Sequence, residues 1–143
     1  MTPKRRTPFK LREFRGVDPE VVAQFEAYGI KTAEQLLMDG ATRPQRAALA
    51  AATDVPEAII LELVKLSDLA RLPGVKGIRA RLYYDAGVDS VAQMATWEPE
   101  ALRQMLIVFV ERTGFAGVPP LPKEVSSTIA NAQKLPKVVE DEI

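Results

Sequence analysis

Leu72-Pro73-Gly74-Val75-Lys76-Gly77 sits midway along a chain of 143 residues. Helical patterns lie on both sides of it. A helix ending near Arg71 must turn sharply here, and a new one must begin near Lys76. Pro73 presets one backbone angle and Gly74 tolerates a left-handed one. Val75, the lone apolar residue of the turn, is expected to plug between the flanking helices. The stretch has the sequence form of a helix-hairpin-helix turn.

Upstream, Phe14-Arg15-Gly16-Val17-Asp18-Pro19 reads as an earlier turn of the same kind. Asp18 suits an N-cap and Pro19 the first helical position. Val21, Val22, Phe25 and Tyr28 follow at helical spacing, and Gly29 reads as the residue that ends the helix. Three capping boxes come next. Thr32–Gln35 opens a short helix through Leu36 and Leu37. Thr42–Gln45 opens one through Ala47 to Ala52, and Asp54–Glu57 opens one through Ile59, Ile60, Leu63 and Leu66. Ser67 to Arg71 reads as one more short helical turn.

The pattern then restarts. Gly16-Val17 matches Gly74-Val75, Gly29-Ile30 matches Gly87-Val88, Thr32 matches Ser90 and Gln35 matches Gln93. Each pair is 58 positions apart without a gap, and Phe25/Tyr83 and Leu36/Met94 keep apolar character in register. This is an internal repeat. It predicts an all-α fold of two tandem units, each of about five short helices, packed as one compact domain. The expected organisation is a basic N-terminal arm (1–13), a first unit (14–71), a second unit (72–135) and an acidic, frayed C-terminal tail (136–143). The second unit continues with a helix from near Pro99 to Arg112. Its run Leu106-Ile107-Val108-Phe109-Val110 implies either a central helix buried all round or one that exposes an apolar stripe. A Gly/Pro-rich loop and a last helix, about Lys123 to Lys134, complete the unit.

Composition bounds the function. The chain is 47% apolar and 27% charged, with no run of apolar residues long enough to span a membrane. No secretory pattern follows the basic N-terminus, so a cytoplasmic location is expected. There is no Cys, which excludes disulfides and thiol chemistry. There is no His, which removes the commonest general base and zinc ligand. Catalysis would have to rest on Asp, Glu, Lys or Tyr, and no Gly-rich nucleotide loop, nucleophile elbow or metal-spaced carboxylate cluster is present. The expectation is a non-catalytic protein with no metal, no cofactor and no small-molecule substrate. Charge is balanced overall but uneven: Lys4, Arg5, Arg6, Lys10, Arg12 and Arg15 face only Glu13 within the first 16 residues.

Leu72-Pro73-Gly74-Val75, with Ala80, Leu82, Ala86 to Val91, Met94 and Ala95, resembles the helix-hairpin-helix superfamily. Together with Val125, Ile129, Ala132 and Leu135 along the last helix, the chain is most similar to a bacterial domain-of-unknown-function family (number 4332) built of tandem helix-hairpin-helix units. The resemblance covers roughly residues 14–135. It implies the fold and leaves activity open, because the superfamily includes both DNA-binding modules and protein–protein adaptors.

In nucleic-acid-binding members the turn carries Gly-apolar-Gly, so that backbone N–H groups at the helix start can hold a phosphate. Here the second glycine position is Asp18 in the first turn, which would repel a phosphate, and Lys76 in the second, with Gly77 behind it. Two function classes follow. One is sequence-independent binding of a DNA or RNA backbone through Gly74, Val75, Lys76, Gly77, Arg79 and Arg71, reinforced by Lys4, Arg5 and Arg6 of the arm. The other is a protein-interaction or homodimerisation module that uses Ile107 and Phe109.

Overall fold

The computed structural model describes residues 9–115, 117 and 119–140. Among these, eight α-helices follow a short 3-10 turn at Leu11–Glu13. They are α1 (Pro19–Tyr28), α2 (Ala33–Gly40), α3 (Arg43–Thr53), α4 (Glu57–Leu69), α5 (Gly77–Asp85), α6 (Val91–Met94), α7 (Pro99–Thr113) and α8 (Pro122–Lys134). The only pairing of extended backbone among the described residues is an isolated antiparallel bridge between Lys10 and Thr32.

Local chemistry starts and stops these helices much as the repeat predicts. The Asp18 carboxylate accepts from the Glu20 N–H at 2.9 Å, with Pro19 in the first turn. Thr32 and Gln35, and Thr42 and Gln45, form reciprocal capping boxes. Ser90 accepts from the Gln93 N–H at 3.1 Å. Equivalent glycines adopt nearly equal left-handed angles: φ is 79° at Gly16 and 80° at Gly74, 105° at Gly29 and 103° at Gly87. Behind the latter pair, the Ile30 N–H reaches the Phe25 carbonyl at 2.9 Å and the Val88 N–H reaches Tyr83 at 2.8 Å.

Two local expectations are corrected, and one of two alternatives is selected. Asp54 does not cap α4. It ends α3 in a left-handed conformation with φ 63°, and the Thr53 hydroxyl occupies the turn by donating to Leu49 and accepting from the Val55 N–H. Ser67 to Arg71 is no separate helix, because α4 runs unbroken through Leu69. Each half therefore holds four α-helices rather than five among the described residues. Of the two alternatives for α7, the helix that leaves part of its apolar run exposed is the one found: Leu102 and Leu106 are fully enclosed while Val108 is 56% exposed.

The terminal segments also depart from the simple arm-and-tail picture. Residues 9–13 belong to the body: Leu11 is fully buried, its N–H bonds to Lys31, and the Phe9 carbonyl accepts from the Ala33 N–H. Of the expected tail, residues 136–140 cross back to the first half, and residues 141–143 lie outside the described residues. The Glu140 N–H bonds to Ala41 at 2.8 Å, Val139 is buried, and the nearly enclosed Arg46 donates to Glu140, Gly40 and Ala41 carbonyls. Apolar burial at Val139 and the backbone acceptors offered to Arg46 hold this segment on the body, with the Glu140 side chain left exposed.

The two halves share one core. α4 packs on α2, α3 and α5, and α8 packs on α6 and α7. Asp68, at the end of α4, is 2% exposed. One carboxylate oxygen accepts from Arg71 Nε and Nη2 at 2.9 and 2.7 Å, and the other accepts from the Val91 N–H at 2.8 Å. Arg71 also donates to the Pro136 carbonyl at 3.0 Å. Asp68→Ala would leave the buried Val91 N–H without its acceptor and take from the part-buried Arg71 its carboxylate partner, and is expected to cost about 2–4 kcal/mol in urea unfolding. Asp68→Asn should recover part of that loss, since an amide oxygen still accepts from Val91. A loss below about 1 kcal/mol in Asp68→Ala would contradict this role.

Candidate interaction surfaces

The second hairpin has the backbone its sequence predicts. The Val75 N–H closes on Leu72 at 3.1 Å, Gly74 is left-handed, and Val75 is 2% exposed. Lys76 takes the extended N-cap position of α5 and gives no side-chain cap. The open approach expected beside Gly77 is filled from within. A Cβ on Gly77 would lie 2.1 Å from the Glu13 carbonyl oxygen and 3.4 Å from the Phe14 Cα. Glycine is therefore needed here so that the N-terminal segment can press against the start of α5, a steric requirement separate from any ligand.

The first hairpin is occupied too. Arg81 on α5 is 8% exposed, and its Nε donates to the Arg15 carbonyl at 2.7 Å. A Cβ at Gly16 would stand 2.9 Å from that same Nε. Gly16 and Gly77 thus stand at the junction between the halves, while Gly74 at the tip of the second turn has open space around it.

Among the cations read from the sequence, Arg71 is held by Asp68, and Arg79 is paired with Glu124 on α8 at 2.8 Å. Lys76 is exposed, with Nζ 5.8 Å from the centroid of the Phe9 ring, a cation–π distance. Lys76 and Arg71 come together in a cleft of about 240 Å³ that Phe9, Ala33, Glu34 and Leu37 also line. Arg79 does not line it. Lys4, Arg5 and Arg6 lie outside the described residues. The carboxylates of Asp68, Glu124 and Glu34 dilute the positive field that a phosphate backbone needs.

The outer face of α7 has a different character. Ile107 and Phe109, the residues singled out from sequence, are half-buried, and Phe109 packs toward Phe115 with ring centroids 6.3 Å apart. Val108 between them is the exposed one. Ala86, Gln104, Met105, Val108, Phe109 and Arg112 line a groove of about 390 Å³. Sequence reasoning missed Val108 because the apolar run was read as a block. The missed signal is the four-residue spacing of Glu100, Gln104, Val108 and Arg112, all exposed, which places them in one row along the helix.

One buried polar group lies apart from both surfaces. The Tyr83 hydroxyl is enclosed with no hydrogen-bond partner among the described residues. Thr128 stands beside it without completing a bond of good geometry. Burial, and next the Glu124 carboxylate, push the phenol up to about 12.

The sequence profile of a family described as a domain of unknown function (DUF4332) matches residues 15–135. No curated protein and no solved structure matches the chain.

Two outcomes follow from this geometry. Gly77→Ala must displace backbone, and is expected to destabilise by about 2–3 kcal/mol, whereas Gly74→Ala, with open space around it, should cost only about 1 kcal/mol for the left-handed angle. Equal losses in thermal unfolding would refute the steric account of Gly77. Tyr83→Phe should leave stability at neutral pH unchanged or raised, because it removes an unpaired buried hydroxyl. The wild type has a folded-state phenol pKa above the ordinary 10, so its stability is intact below pH 10 and falls as pH rises toward 12. Tyr83→Phe should lack that part of the fall, roughly 2–3 kcal/mol; an identical alkaline profile for both proteins would be the contrary result.

Proposed function

We propose that this chain, which belongs to the family of domains of unknown function (DUF4332), is a non-catalytic module that docks a protein on the outer face of α7. Its matched halves are read as two tandem helix-hairpin-helix units. The observation that carries the reading is the groove itself. α7 buries Leu102 and Leu106 in the core, yet leaves Val108 more than half exposed above Met105, Phe109 and Ala86. Scattered exposed apolar residues are ordinary on a protein surface, and this chain has others, such as Met38 on α2. A concave apolar strip rimmed by Gln104 and Arg112 is a different feature, and it fits a docked helix or side-chain knob. The hairpins support the same choice, since the approaches beside Gly16 and Gly77 are taken by Arg81 and Glu13.

A second reading keeps one specific support. Lys76 is exposed at the head of α5 beside Arg71, so backbone contact with DNA or RNA through this hairpin and the basic arm is the competing function.

A photo-crosslinking residue at Gln104 in cells separates them. The protein reading expects a discrete polypeptide adduct that Val108→Asp abolishes, together with no binding of the purified chain to a short DNA duplex at low salt. Duplex binding that weakens steeply with salt and disappears in Lys76→Glu would overturn it in favour of the nucleic-acid reading.

A further inference from the structure

We infer that the occupant of the α7 groove is a second copy of this chain, docked antiparallel, α7 against α7, about a twofold axis between Gln104 and Val108. This rests on the reading of α7 as a protein-docking face and names its partner.

The charge pattern along the row is self-complementary. Glu100 stands at one end of the exposed row and Arg112 at the other, twelve residues apart, about 18 Å along a helix. Both side chains are exposed. Glu100 accepts a hydrogen bond from Gln104 at 3.1 Å, and Arg112 makes no ion pair among the described residues. Successive members of the row sit about 40° apart around the helix axis, so the row winds across the face. An antiparallel second copy crossing at about 50°, the angle at which two such rows align, places its Arg112 opposite Glu100 and its Glu100 opposite Arg112, so one contact is made twice. That reciprocity is what an interface between identical surfaces requires. A parallel copy would instead set Glu100 against Glu100 and Arg112 against Arg112.

The apolar middle obeys the same symmetry. With the axis between positions 104 and 108, each Val108 meets the Gln104 side of the opposite groove and enters beside Met105 and Phe109. Ala101 is exposed on the same helix, and its small side chain lets the two helices come close. Glu100, Glu111, Arg103 and Arg112 sum to zero on this helix between positions 100 and 112, so no net charge opposes self-association.

The decisive experiment is a charge swap read by sedimentation velocity on the full chain. The wild type is expected to be a dimer at about 100 µM and to dissociate on dilution, in keeping with a micromolar Kd. Glu100→Arg and Arg112→Glu should each leave a monomer, and the double variant should restore the dimer. The restoration discriminates sharply. Each reversal also opposes the α7 dipole, because it removes an acid from the first turn or a base from the last. A merely structural effect would therefore worsen in the double variant, whereas cross-helix pairing is rescued there. Circular dichroism verifies that all three variants stay helical.

A wild type that remains monomeric at this concentration overturns the inference, and so does a double variant that stays monomeric when both singles do. If the purified wild type is monomeric while Gln104 still crosslinks to a different polypeptide in cells, the second-copy inference fails and the protein-docking reading stands. If neither a dimer nor an adduct forms, both fail.

Discussion

The Asp68 carboxylate holds together three parts of the chain that are distant in sequence. It is buried at the end of α4, binds the Arg71 guanidinium through one oxygen and takes the first N–H of α6 through the other. Arg71 in turn reaches the carbonyl of Pro136. A buried carboxylate is costly unless its lone pairs are filled by charge-assisted donors in good geometry. Here they are, so the charge fixes the orientation of the second half relative to the first. It also fixes where the C-terminal segment begins its return, which ends with Val139 buried and Arg46 enclosed by carbonyls.

That fixed orientation determines what each hairpin does. With the halves locked, the Glu13–Phe14 backbone lies directly against Gly77, and Arg81 lies against Gly16. Gly16 and Gly77 thus lie at the seam of the molecule, while Gly74 and Lys76 at the second turn stay exposed. The basic residues follow suit: Arg71 and Arg79 face Asp68 and Glu124 before they face solvent. The apolar strip on α7 is left facing solvent. In the first half the returning C-terminal segment covers part of α3 through Arg46, whereas no described segment covers the outer face of α7. The repeated architecture therefore carries two unlike surfaces.

Much of the fold was legible because its signals are local. A Thr and a Gln three residues apart satisfy helix-end donors whatever the rest of the chain does, and a glycine that must be left-handed is needed wherever the turn lies. Those constraints recur with a period of 58, and the structure repeats them within a few degrees at Gly16 and Gly74 and at Gly29 and Gly87. The failures were of another kind. Asp54 and Glu57 have capping-box spacing, but Pro56 fixes the extended N-cap of α4, while Asp54 serves better as the left-handed end of α3. Local rules there admitted two solutions, and packing selected one.

By itself the sequence determined the all-helical class, the twofold repeat, the starts and stops of most helices and the absence of His and Cys chemistry. Each is a property of neighbouring residues or of composition. Only the tertiary structure decided that Gly77 makes room for Glu13, that Asp68 joins the halves, that residues 136–140 strap back to α3, and that Val108 rather than Ile107 or Phe109 is the most exposed of its run. These are contacts between residues tens of positions apart, or the direction in which one helix turns its faces toward the rest. Helical periodicity says which residues share a face; the elements packed around α7 settle which face is left outside.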